Sequence, residues 1–505
     1  MTFDPRCKAL LTRLAAVHDL EMAQALSFWD QNTYMPEAGA PARGRQQATL
    51  AALSHQQMVS PELVGELERL ERQVEDFLPG SPERALLRLT RRRVDRALRL
   101  PAPFVAELSA HLSAIFSAWA AARPADDFSR VAGLLERTLE YSRRYASYFP
   151  EAAHPADPLI DEADEGMTVG RLRPLFAELR AGLLPLIAAL DPGQPDPLLA
   201  RAFPIAEQLS FGQEISACFG FDFKRGRQDL APHPFMIRFS SGDVRITTRV
   251  NPTDFSDALY STLHETGHAL YELGVGPAYE GTPLGGGVSA GVHESQSRLW
   301  ENLVGRGRAF SSYLHRRLRQ AFPRQLEDVD LERFYRAVNW AHPSLIRTEA
   351  DELTYNLHVI LRFDLEVEML EGRLAVRDLP EAWRARYQSD LGLCPQTDRD
   401  GVLQDVHWFS GLIGGAFQGY TLGNLMSVAF YRAALAAHPE IPAELAEGRC
   451  AALHGWLREQ VYQHGGRYTA DELLLRATGA PLSVGPYLDY LGAKFGASPG
   501  DRMRM

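Results

Sequence analysis

Two histidines four residues apart, in the segment HETGH at residues 264–268, could hold a metal ion. On a helix, positions i and i+4 lie one turn apart on the same face, so His264 and His268 could each give one imidazole nitrogen to a tetrahedral zinc. Glu265 would point about 100° away, to the side where a metal-bound water would sit. The segment therefore predicts a metal site with its own general base, suited to attack on a peptide carbonyl.

The residues around this motif decide between a site and a coincidence. A random chain of this length and composition would contain HExxH with a chance of roughly 3%. Here the motif lies within a strong helical pattern over residues 254–273, with leucines such as Leu263 and Leu270 on an apolar stripe beside the histidines. This context favours a metal site over three polar residues on an ordinary helix.

The third ligand must come from elsewhere, because a catalytic zinc usually takes three protein ligands and keeps a fourth position open. The metzincin pattern HExxHxxGxxH is excluded, since residue 274 is glycine. Glu272 follows on the same helix but would close the tetrahedron poorly. Glu294 is the better candidate, because the preceding PLGGG segment lets a second helix fold back on the first, as in gluzincins. His293, in the same turn, is an alternative ligand.

Helices must position these groups, because helical periodicity dominates the chain and no repeat of fixed period is visible. The exception is residues 233–250, where apolar residues alternate on both sides of Ser241-Gly242, which predicts a β-hairpin. The chain is thus predicted to be mainly α, with a metal-binding core at 254–306. Helices are predicted over residues 8–28, 40–76, 101–122, 128–148, 169–190, 254–273, 291–306, 344–371 and 422–437.

Composition limits the class of protein. The chain has 505 residues, 45% of them hydrophobic and 23% charged, which is typical of a soluble globular protein. Its net charge of −11 argues against a nucleic-acid partner and makes no case for acidic membranes. Four cysteines without a CxxC pair, and a charged N-terminal segment unlike a signal peptide, predict a cytoplasmic location.

An arginine-rich segment at residues 84–99 offers a second candidate surface. One interpretation is a nucleic-acid-binding patch. We favour a solvated helix face, with Leu86, Leu87, Val94 and Leu98 turned inward, because the chain as a whole is acidic.

Several ordered motifs together resemble the carboxypeptidase Taq family of metallocarboxypeptidases, over about residues 8 to 495. The chain departs from the family at FQGYTLGN (417–424), where FGYFPSYTLGN is closer to the usual pattern. The matching motifs are HPF at 233–235, DVRIT at 243–247, HETGH at 264–268, HESQ at 293–296, IRTEAD at 346–351 and GVLQDVHW at 401–408, with WDQNTYMP at 29–36 and LIDEADEGMT at 159–168 as further landmarks.

The resemblance implies a large multi-helix gluzincin-type fold similar to angiotensin-converting enzyme and neurolysin. The fold would be a single domain over residues 1–505, with helical lobes flanking a deep central groove and a small sheet beside the metal. It implies a cytosolic homodimer that removes single residues from peptide C-termini with broad specificity. By resemblance His264, His268 and Glu294 are the ligands and Glu265 is the base. Zn²⁺ suits these ligands, and Co²⁺ or Mn²⁺ could replace it.

A carboxypeptidase must also bind a terminal carboxylate, which a guanidinium does best through two parallel hydrogen bonds. Arg347 is predicted for this role. Pro343 and Ser344 would start its helix, and Asp351 would orient it from one turn on. The alternative is a plain surface ion pair between Arg347 and Asp351.

The developing oxyanion needs a hydrogen-bond donor besides the metal, and His407 and Tyr420 are candidates. His233, Asp243 and Arg245 are predicted to shape one end of the groove and to limit how far substrate extends past the cut. The alternative for the last two is a hairpin held by an Asp–Arg pair.

Two other functions stay open at this point. One is an oligopeptidase or dipeptidyl carboxypeptidase on the same fold, which its products would distinguish. The other is a helical binding scaffold that has lost catalysis, against which the complete set of ligands and base argues.

Overall fold

The computed structural model describes residues 3–191, 193–198 and 200–496, and most of these residues lie in helices, which confirms the predicted mainly α class. The first half contains α1 (Lys8–Thr33), α2 (Ala40–Met58), α3 (Pro61–Glu71), α4 (Pro82–Arg99), α5 (Ala102–Ala125), α6 (Ser129–Ser147), α7 (Asp157–Ala163), α8 (Val169–Ala188) and α9 (Ile205–Phe219). The second half contains α10 (Phe255–Gly274), α11 (Ala290–Arg298), α12 (Arg308–Ala321), α13 (Pro323–Leu326), α14 (Leu331–Val338), α15 (Tyr355–Leu370), α16 (Leu379–Leu391), α17 (His407–Ser410), α18 (Gln418–Ala437), α19 (Ile441–Ala446), α20 (Ala451–Gln460), α21 (Ala470–Thr478) and α22 (Gly485–Phe495).

Two predicted helices begin or end elsewhere. The helix predicted over 40–76 is broken, because Pro61 starts α3 and the Ser60 side chain caps it by accepting from the Leu63 amide. The helix predicted over 344–371 begins only at Tyr355, and the preceding segment is a loop with one 3₁₀ turn at Arg347–Glu349. The predicted start at Pro343 and Ser344 is therefore wrong.

A three-stranded sheet precedes α10. Its strands are β1 (Gly226–Leu230), β2 (Met236–Ser240) and β3 (Asp243–Thr248), in the order β1-β3-β2. The predicted hairpin is confirmed, because β2 and β3 pair antiparallel around the Ser241-Gly242 turn. β1 pairs parallel to β3 and was not predicted, since its sequence GRQDL lacks an apolar alternation.

The buried apolar side chains form one large cluster, a smaller N-terminal one, and a third small one made of Phe104, Tyr141, Tyr145 and Phe149. The large cluster extends from α5 to α22 and includes both faces of α10. The smaller cluster joins α1, α3 and α4 to residues 275–284, which lead from α10 to α11. The predicted single domain, helical lobes and deep groove, and the likeness to angiotensin-converting enzyme and neurolysin, stay predictions.

The arginines of α4 are tied to the protein itself. Leu86, Leu87 and Val94 are buried as predicted, but the prediction for Leu98 was wrong, since it is 58% exposed at the end of the helix. Every one of the seven guanidiniums pairs with a carboxylate of the same chain, which supports a structural role. The pairs are Arg84–Glu75, Arg88–Glu165, Arg91–Glu71, Arg92–Asp161, Arg93–Glu21, Arg96–Asp161 and Arg99–Glu151.

One helix, α5, is apolar and lies mostly at the surface. By length and composition alone it could cross a membrane, and 17% of its most apolar window is buried within the protein. A single such helix is weak evidence for a membrane span. Val105 and Phe116, three turns apart on its outer face, are 45% and 46% exposed. An exposed apolar face of this kind indicates a surface that a partner could cover.

Candidate metal centre

The side chains of His264, His268 and Glu294 converge, and each offers one ligand atom within 4.8 Å of the others. The Nε2 atoms of His264 and His268 lie 3.7 and 3.5 Å from one oxygen of Glu294. Donors around a tetrahedral zinc with bonds of about 2.0–2.1 Å lie roughly 3.3 Å apart. The two imidazoles and the carboxylate therefore fit a metal ion of this type.

Two glycines explain how α11 comes close enough to supply the third ligand. A Cβ at Gly267, inside the HETGH segment, would lie 2.6 Å from the Ser297 Cα of α11. A Cβ at Gly423 of α18 would lie 2.5 Å from the Glu294 Cβ on the other side. Real Cβ atoms do not approach so closely, so only glycine fits at both positions. Helix α11 is thus held between two helices at near backbone contact.

One pair of side-chain contacts orients His264 and Glu294. His264 Nδ1 lies 2.9 Å from Glu301 Oε2, and Arg298 Nε donates to Glu294 Oε1 at 2.7 Å. These contacts fix the imidazole and leave its Nε2 directed toward the other ligand atoms. Such outer contacts are typical of metal-binding histidines.

A second chain of contacts lies behind His268. Its Nδ1 is 2.6 Å from His293 Nδ1, and His293 Nε2 is 2.9 Å from Glu272 Oε1. When His268 carries its proton on Nδ1, it donates to His293, which in turn donates to the Glu272 carboxylate. His293 therefore uses its Nδ1 to orient His268. Because both of its ring nitrogens already have partners, the geometry favours Glu294 over His293 as the third ligand.

Burial and neighbouring charges set the protonation states of the candidate ligands. Burial lowers the pKa of His268 to about 4, so the ring is neutral at neutral pH, as a ligand must be. Burial alone would raise the pKa of Glu294, but the positive charges of Arg298 and His264 outweigh it and lower that pKa. The ligand carboxylate is therefore an anion over the whole neutral range.

Glu265 lies beside the ligands and is only 7% exposed. Burial raises its pKa to about 7, close to the value that suits a group that both takes and returns a proton. A bound cation would lower this pKa and favour the carboxylate, which is the form that accepts a proton. The environment of Glu265 is that of a general base.

Arg347 lies at the other end of the candidate site and is 6% exposed. Its Nε and Nη2 donate to Asp405 at 3.0 and 2.8 Å, and its Nη1 donates to the Tyr355 hydroxyl at 2.9 Å. Among the described residues these contacts use three of the five N–H bonds of the guanidinium, which leaves two. Two is the number that a carboxylate accepts in a parallel pair.

The prediction that Asp351 orients Arg347 was wrong. Asp351 accepts instead from the amides of Leu353 at 2.9 Å and Thr354 at 3.1 Å, at the start of α15. The partner of Arg347 is Asp405, which sequence reasoning missed although it stands in the GVLQDVHW motif. No spacing rule could have paired two residues that are 58 positions apart.

A second guanidinium shares the same carboxylate. Arg362, fully buried on α15, donates to Asp405 Oδ2 at 2.6 Å. The two cations exceed this one anion by one positive charge, and they lower the pKa of Asp405 well below its usual range, although burial opposes them. A further anion near Arg347 would balance the charge.

Tyr355 contacts residues from both ends of the candidate site, the end with the metal ligands and the end with Arg347. The Arg298 guanidinium, which holds Glu294, lies 4.4 Å from the ring centre of Tyr355. The hydroxyl of Tyr355 in turn accepts from Arg347. Only two side chains therefore separate the carboxylate ligand from the arginine, so both ends belong to one contiguous site.

His407 and Tyr420 lie beside Arg347. His407 Nε2 is 3.1 Å from the Tyr420 hydroxyl, and the Arg347 guanidinium lies 5.1 Å from the centre of the Tyr420 ring. Burial raises the pKa of Tyr420 and lowers that of His407, so at neutral pH the phenol keeps its proton and the imidazole is uncharged. Both are placed as neutral hydrogen-bonding groups, and their role toward an oxyanion stays a prediction.

The residues predicted to shape one end of the groove lie in two different environments. Arg245 donates to Asp243 at 2.9 and 2.8 Å and lies 4.4 Å from the centre of the Trp29 ring, which favours the alternative of a pair that holds the hairpin. His233 is exposed on the loop before β2, and surrounding protein atoms together with the charges of Arg249 and Arg347 lower its pKa. His233 thus lies within electrostatic range of Arg249 and Arg347.

Comparisons with known proteins agree with this geometry. The family model described as Carboxypeptidase Taq (M32) metallopeptidase matches residues 9–495. Thermostable carboxypeptidase 1 of Thermus thermophilus is 41% identical over 490 residues, which are 94% of this chain and 95% of that protein. Carboxypeptidase 1 of Bacillus subtilis is 34% identical over 497 residues, 98% of each chain. The solved structure of an M32 carboxypeptidase from Deinococcus radiodurans R1 has a TM-score of 0.94 at 52% identity and covers 98% of this chain and 99% of its own.

Proposed function

The chain belongs to the carboxypeptidase Taq (M32) metallopeptidase family, and we propose on this premise that it holds one Zn²⁺ through His264, His268 and Glu294. It is a metallocarboxypeptidase, and its substrates are peptides. The predicted resemblance and the predicted activity are confirmed. The alternative of an oligopeptidase or dipeptidyl carboxypeptidase is not favoured, because the relatives and the solved structure are described as carboxypeptidases.

Zinc is proposed because two imidazoles and one carboxylate at the observed spacing suit it, with Co²⁺ or Mn²⁺ as possible substitutes. Bound zinc would polarise the scissile carbonyl and lower the pKa of a water. Glu265 takes the proton of the attacking water and returns it to the leaving amine. Glu301, His293 and Arg298 hold the three ligands in orientation through their outer atoms.

Arg347 is proposed to bind the terminal carboxylate of the peptide through its two remaining N–H bonds. The excess positive charge around Asp405 supports this role, since a bound carboxylate would balance it. A fixed distance between Arg347 and the metal would place the last peptide bond at the metal. Release of one residue per cleavage follows. Broad specificity is proposed from the family resemblance alone.

His407 and Tyr420 are proposed to donate to the oxyanion. Their neutral forms and their hydrogen bond to one another support this role, because the phenol can donate without a competing charge. His233 and the Asp243–Arg245 pair are proposed to bound the same end of the groove, with Arg245 acting through the shape of the hairpin.

We further propose a cytoplasmic homodimer that binds neither nucleic acid nor membrane. The outer face of α5 is a candidate for the interface, because exposed Val105 and Phe116 would be covered there. Sedimentation of the native protein and of Phe116→Glu tests this, with a monomeric variant expected. A native protein that is monomeric at micromolar concentration would contradict it.

The observation that carries the proposal is the contiguous path from the metal ligands through Tyr355 to Arg347. Mass spectrometry of one peptide with a free and with an amidated C-terminus tests it. We expect the free form to lose single residues in succession, and the amidated form to remain intact. A strong chelator should stop the reaction and added zinc should restore it. Dipeptide products, or equal cleavage of both forms, would contradict the role of Arg347.

A further inference from the structure

Two cysteines that are far apart in the sequence meet outside the metal centre. Cys218 lies in the last turn of α9 and Cys450 directly precedes α20, yet their sulfur atoms are 4.0 Å apart across a separation of 232 positions. The other two cysteines, Cys7 and Cys394, are respectively buried and exposed. The catalytic reaction uses none of these thiols, so the contact needs another explanation.

The segments that carry the two cysteines are in direct contact. The Cys218 thiol donates to the Gly448 carbonyl, two residues before Cys450, at 3.0 Å. Gly220, at the end of α9, has φ +110°, and a Cβ there would overlap the His454 ring of α20, so glycine lets α9 and α20 pack together at this point. A disulfide has an S–S distance of about 2.05 Å, so the two sulfurs would have to approach by about 2 Å to form one.

The two thiols differ in exposure and in charge. Cys218 is partly exposed, whereas Cys450 is 4% exposed. Hydrogen bonds from Cys450 and Tyr313 outweigh burial and lower the pKa of Cys218. The hydrogen bond with Cys218, together with burial, raises the pKa of Cys450. The thiolate, which is the reactive form, thus forms more readily on Cys218, the less buried residue of the pair.

We propose that Cys218 and Cys450 form a dithiol site that hydroperoxides oxidise to a disulfide. The Cys218 thiolate attacks the peroxide, breaks the O–O bond, becomes a sulfenic acid and releases an alkoxide or hydroxide, which takes up the proton lost by the thiol. Cys450 then attacks the Cys218 sulfur, the S–O bond breaks, and one water leaves with the proton of Cys450. Two thiols lose two electrons in total, and the peroxide gains them.

The disulfide would fasten α9 to the segment before α20. Helix α9 supports the metal-binding helix, since the hydroxyls of Ser216 and Thr266 are 2.8 Å apart. A cross-link between such distant positions restricts the unfolded chain strongly, and we expect the Tm to rise by roughly 5 °C. The metal ligands keep their positions, so peptidase activity should stay within about twofold of the reduced enzyme.

Thiol counting and peptide mapping test the proposal on the reduced, metal-loaded enzyme. After a small excess of hydrogen peroxide, the four thiols should fall to two, and digestion without reductant should give one cross-linked peptide containing Cys218 and Cys450. Dithiothreitol should restore all four thiols. Retention of four thiols, or a cross-link that involves another cysteine, would overturn the proposal.

Single substitutions separate the two roles. Cys450→Ser should leave a sulfenic acid on Cys218 that a cyclic dione captures, whereas Cys218→Ser should protect Cys450 from peroxide. Cys394→Ser, which alters an exposed cysteine, should leave the cross-link unchanged. If Cys450→Ser unfolds, Cys450→Ala serves in its place. Absence of dione label on Cys218 in a folded Cys450 variant would also overturn the proposal.

Discussion

The metal-binding end of the site and its arginine end are built in different ways. The ligands and their outer partners come from α10, α11 and the π-helical turn Leu299–Gly305, within about 40 residues of sequence. The arginine end gathers Arg347 from a loop, Arg362 from α15 and Asp405 from another loop. Regular helices hold the first end by backbone contact, whereas buried charges hold the second.

Because the two ends are built differently, we expect substitutions at each end to have different effects on activity and stability. Replacement of His264 or His268 removes one donor while the helices stay in place. At the arginine end, loss of Asp405 leaves two buried guanidiniums without their shared carboxylate, which costs several kcal/mol, whereas loss of Arg347 leaves Asp405 paired with Arg362. Four substitutions test this difference between the two ends.

The largest effect should come from Glu265→Gln at the metal end. The amide cannot accept a proton, so kcat/KM should fall by about 10²–10⁴. The metal should remain, because Glu265 is not a ligand, and metal analysis should still find one equivalent. Glu272→Gln, a buried glutamate on the same helix, is the control and should lose much less activity. Loss of metal in Glu265→Gln would refute the assignment.

At the arginine end, Arg347→Ala should lower kcat/KM for peptides with a free C-terminus by roughly 10²–10³. Two charge-assisted hydrogen bonds are lost, each worth about 1.5–2 kcal/mol, the lower part of the range for bonds to charged groups. Asp405 keeps Arg362 as a partner, so the variant should fold. Kinetics on paired free and amidated peptides measure the effect, with Arg347→Lys as an intermediate control. A similar loss on both peptides would mean that Arg347 does not recognise the carboxylate.

A smaller effect is expected for His293→Gln. The variant loses the ring that meets His268 Nδ1, and the affinity for zinc should fall by roughly 10–100-fold. Competition with a chelator measures the affinity, and kcat at saturating zinc should change little. The control is His315→Gln, since that buried histidine contacts the Val329 carbonyl and no ligand. Unchanged affinity in His293→Gln would remove His293 from the site.

The smallest effect should come from Asp351→Asn. This residue accepts backbone N–H groups at the start of α15, so its loss should cost about 1 kcal/mol of unfolding free energy. Preference for free C-termini should not change. The matched variant Asp405→Asn should lower both stability and preference, because it removes the shared counter-charge of two guanidiniums. Equal stability and equal preference for free C-termini in Asp351→Asn and Asp405→Asn would contradict the different roles of these two residues.

The same contrast explains what could be predicted from the sequence. His264 and His268 were predictable because residues four apart on a helix lie on one face, and Glu294 because the PLGGG segment lets the next helix fold back on the first. The hairpin at 233–250 was predictable because alternate residues of a strand lie on opposite faces. Motif resemblance added Arg347 and His407, but a motif gives no partner. The partner of Arg347 is fixed by tertiary packing, so local spacing pointed to Asp351 instead of Asp405.

Local rules also failed where an element depends on its neighbours. Strand β1 pairs with β3 although GRQDL has no strand pattern, because the edge of β3 was available to it. Leu98 fits the apolar stripe of α4 but extends past the surface that α4 covers, so it is exposed. In both cases the deciding contact comes from a distant part of the chain.

The glycines at 267 and 423 have one more consequence, for which cation the protein accepts. Close packing of α10 and α18 at these glycines confines α11 on both sides. Glu294 therefore cannot move away from the other ligands to accommodate a larger ion unless the whole helix moves. Calcium needs distances of about 2.3–2.6 Å and six to eight oxygens, whereas zinc fits about 2.0–2.2 Å with four ligands. We therefore expect the close packing of three helices at these two glycines to favour an ion of the radius of zinc over a larger ion of equal charge.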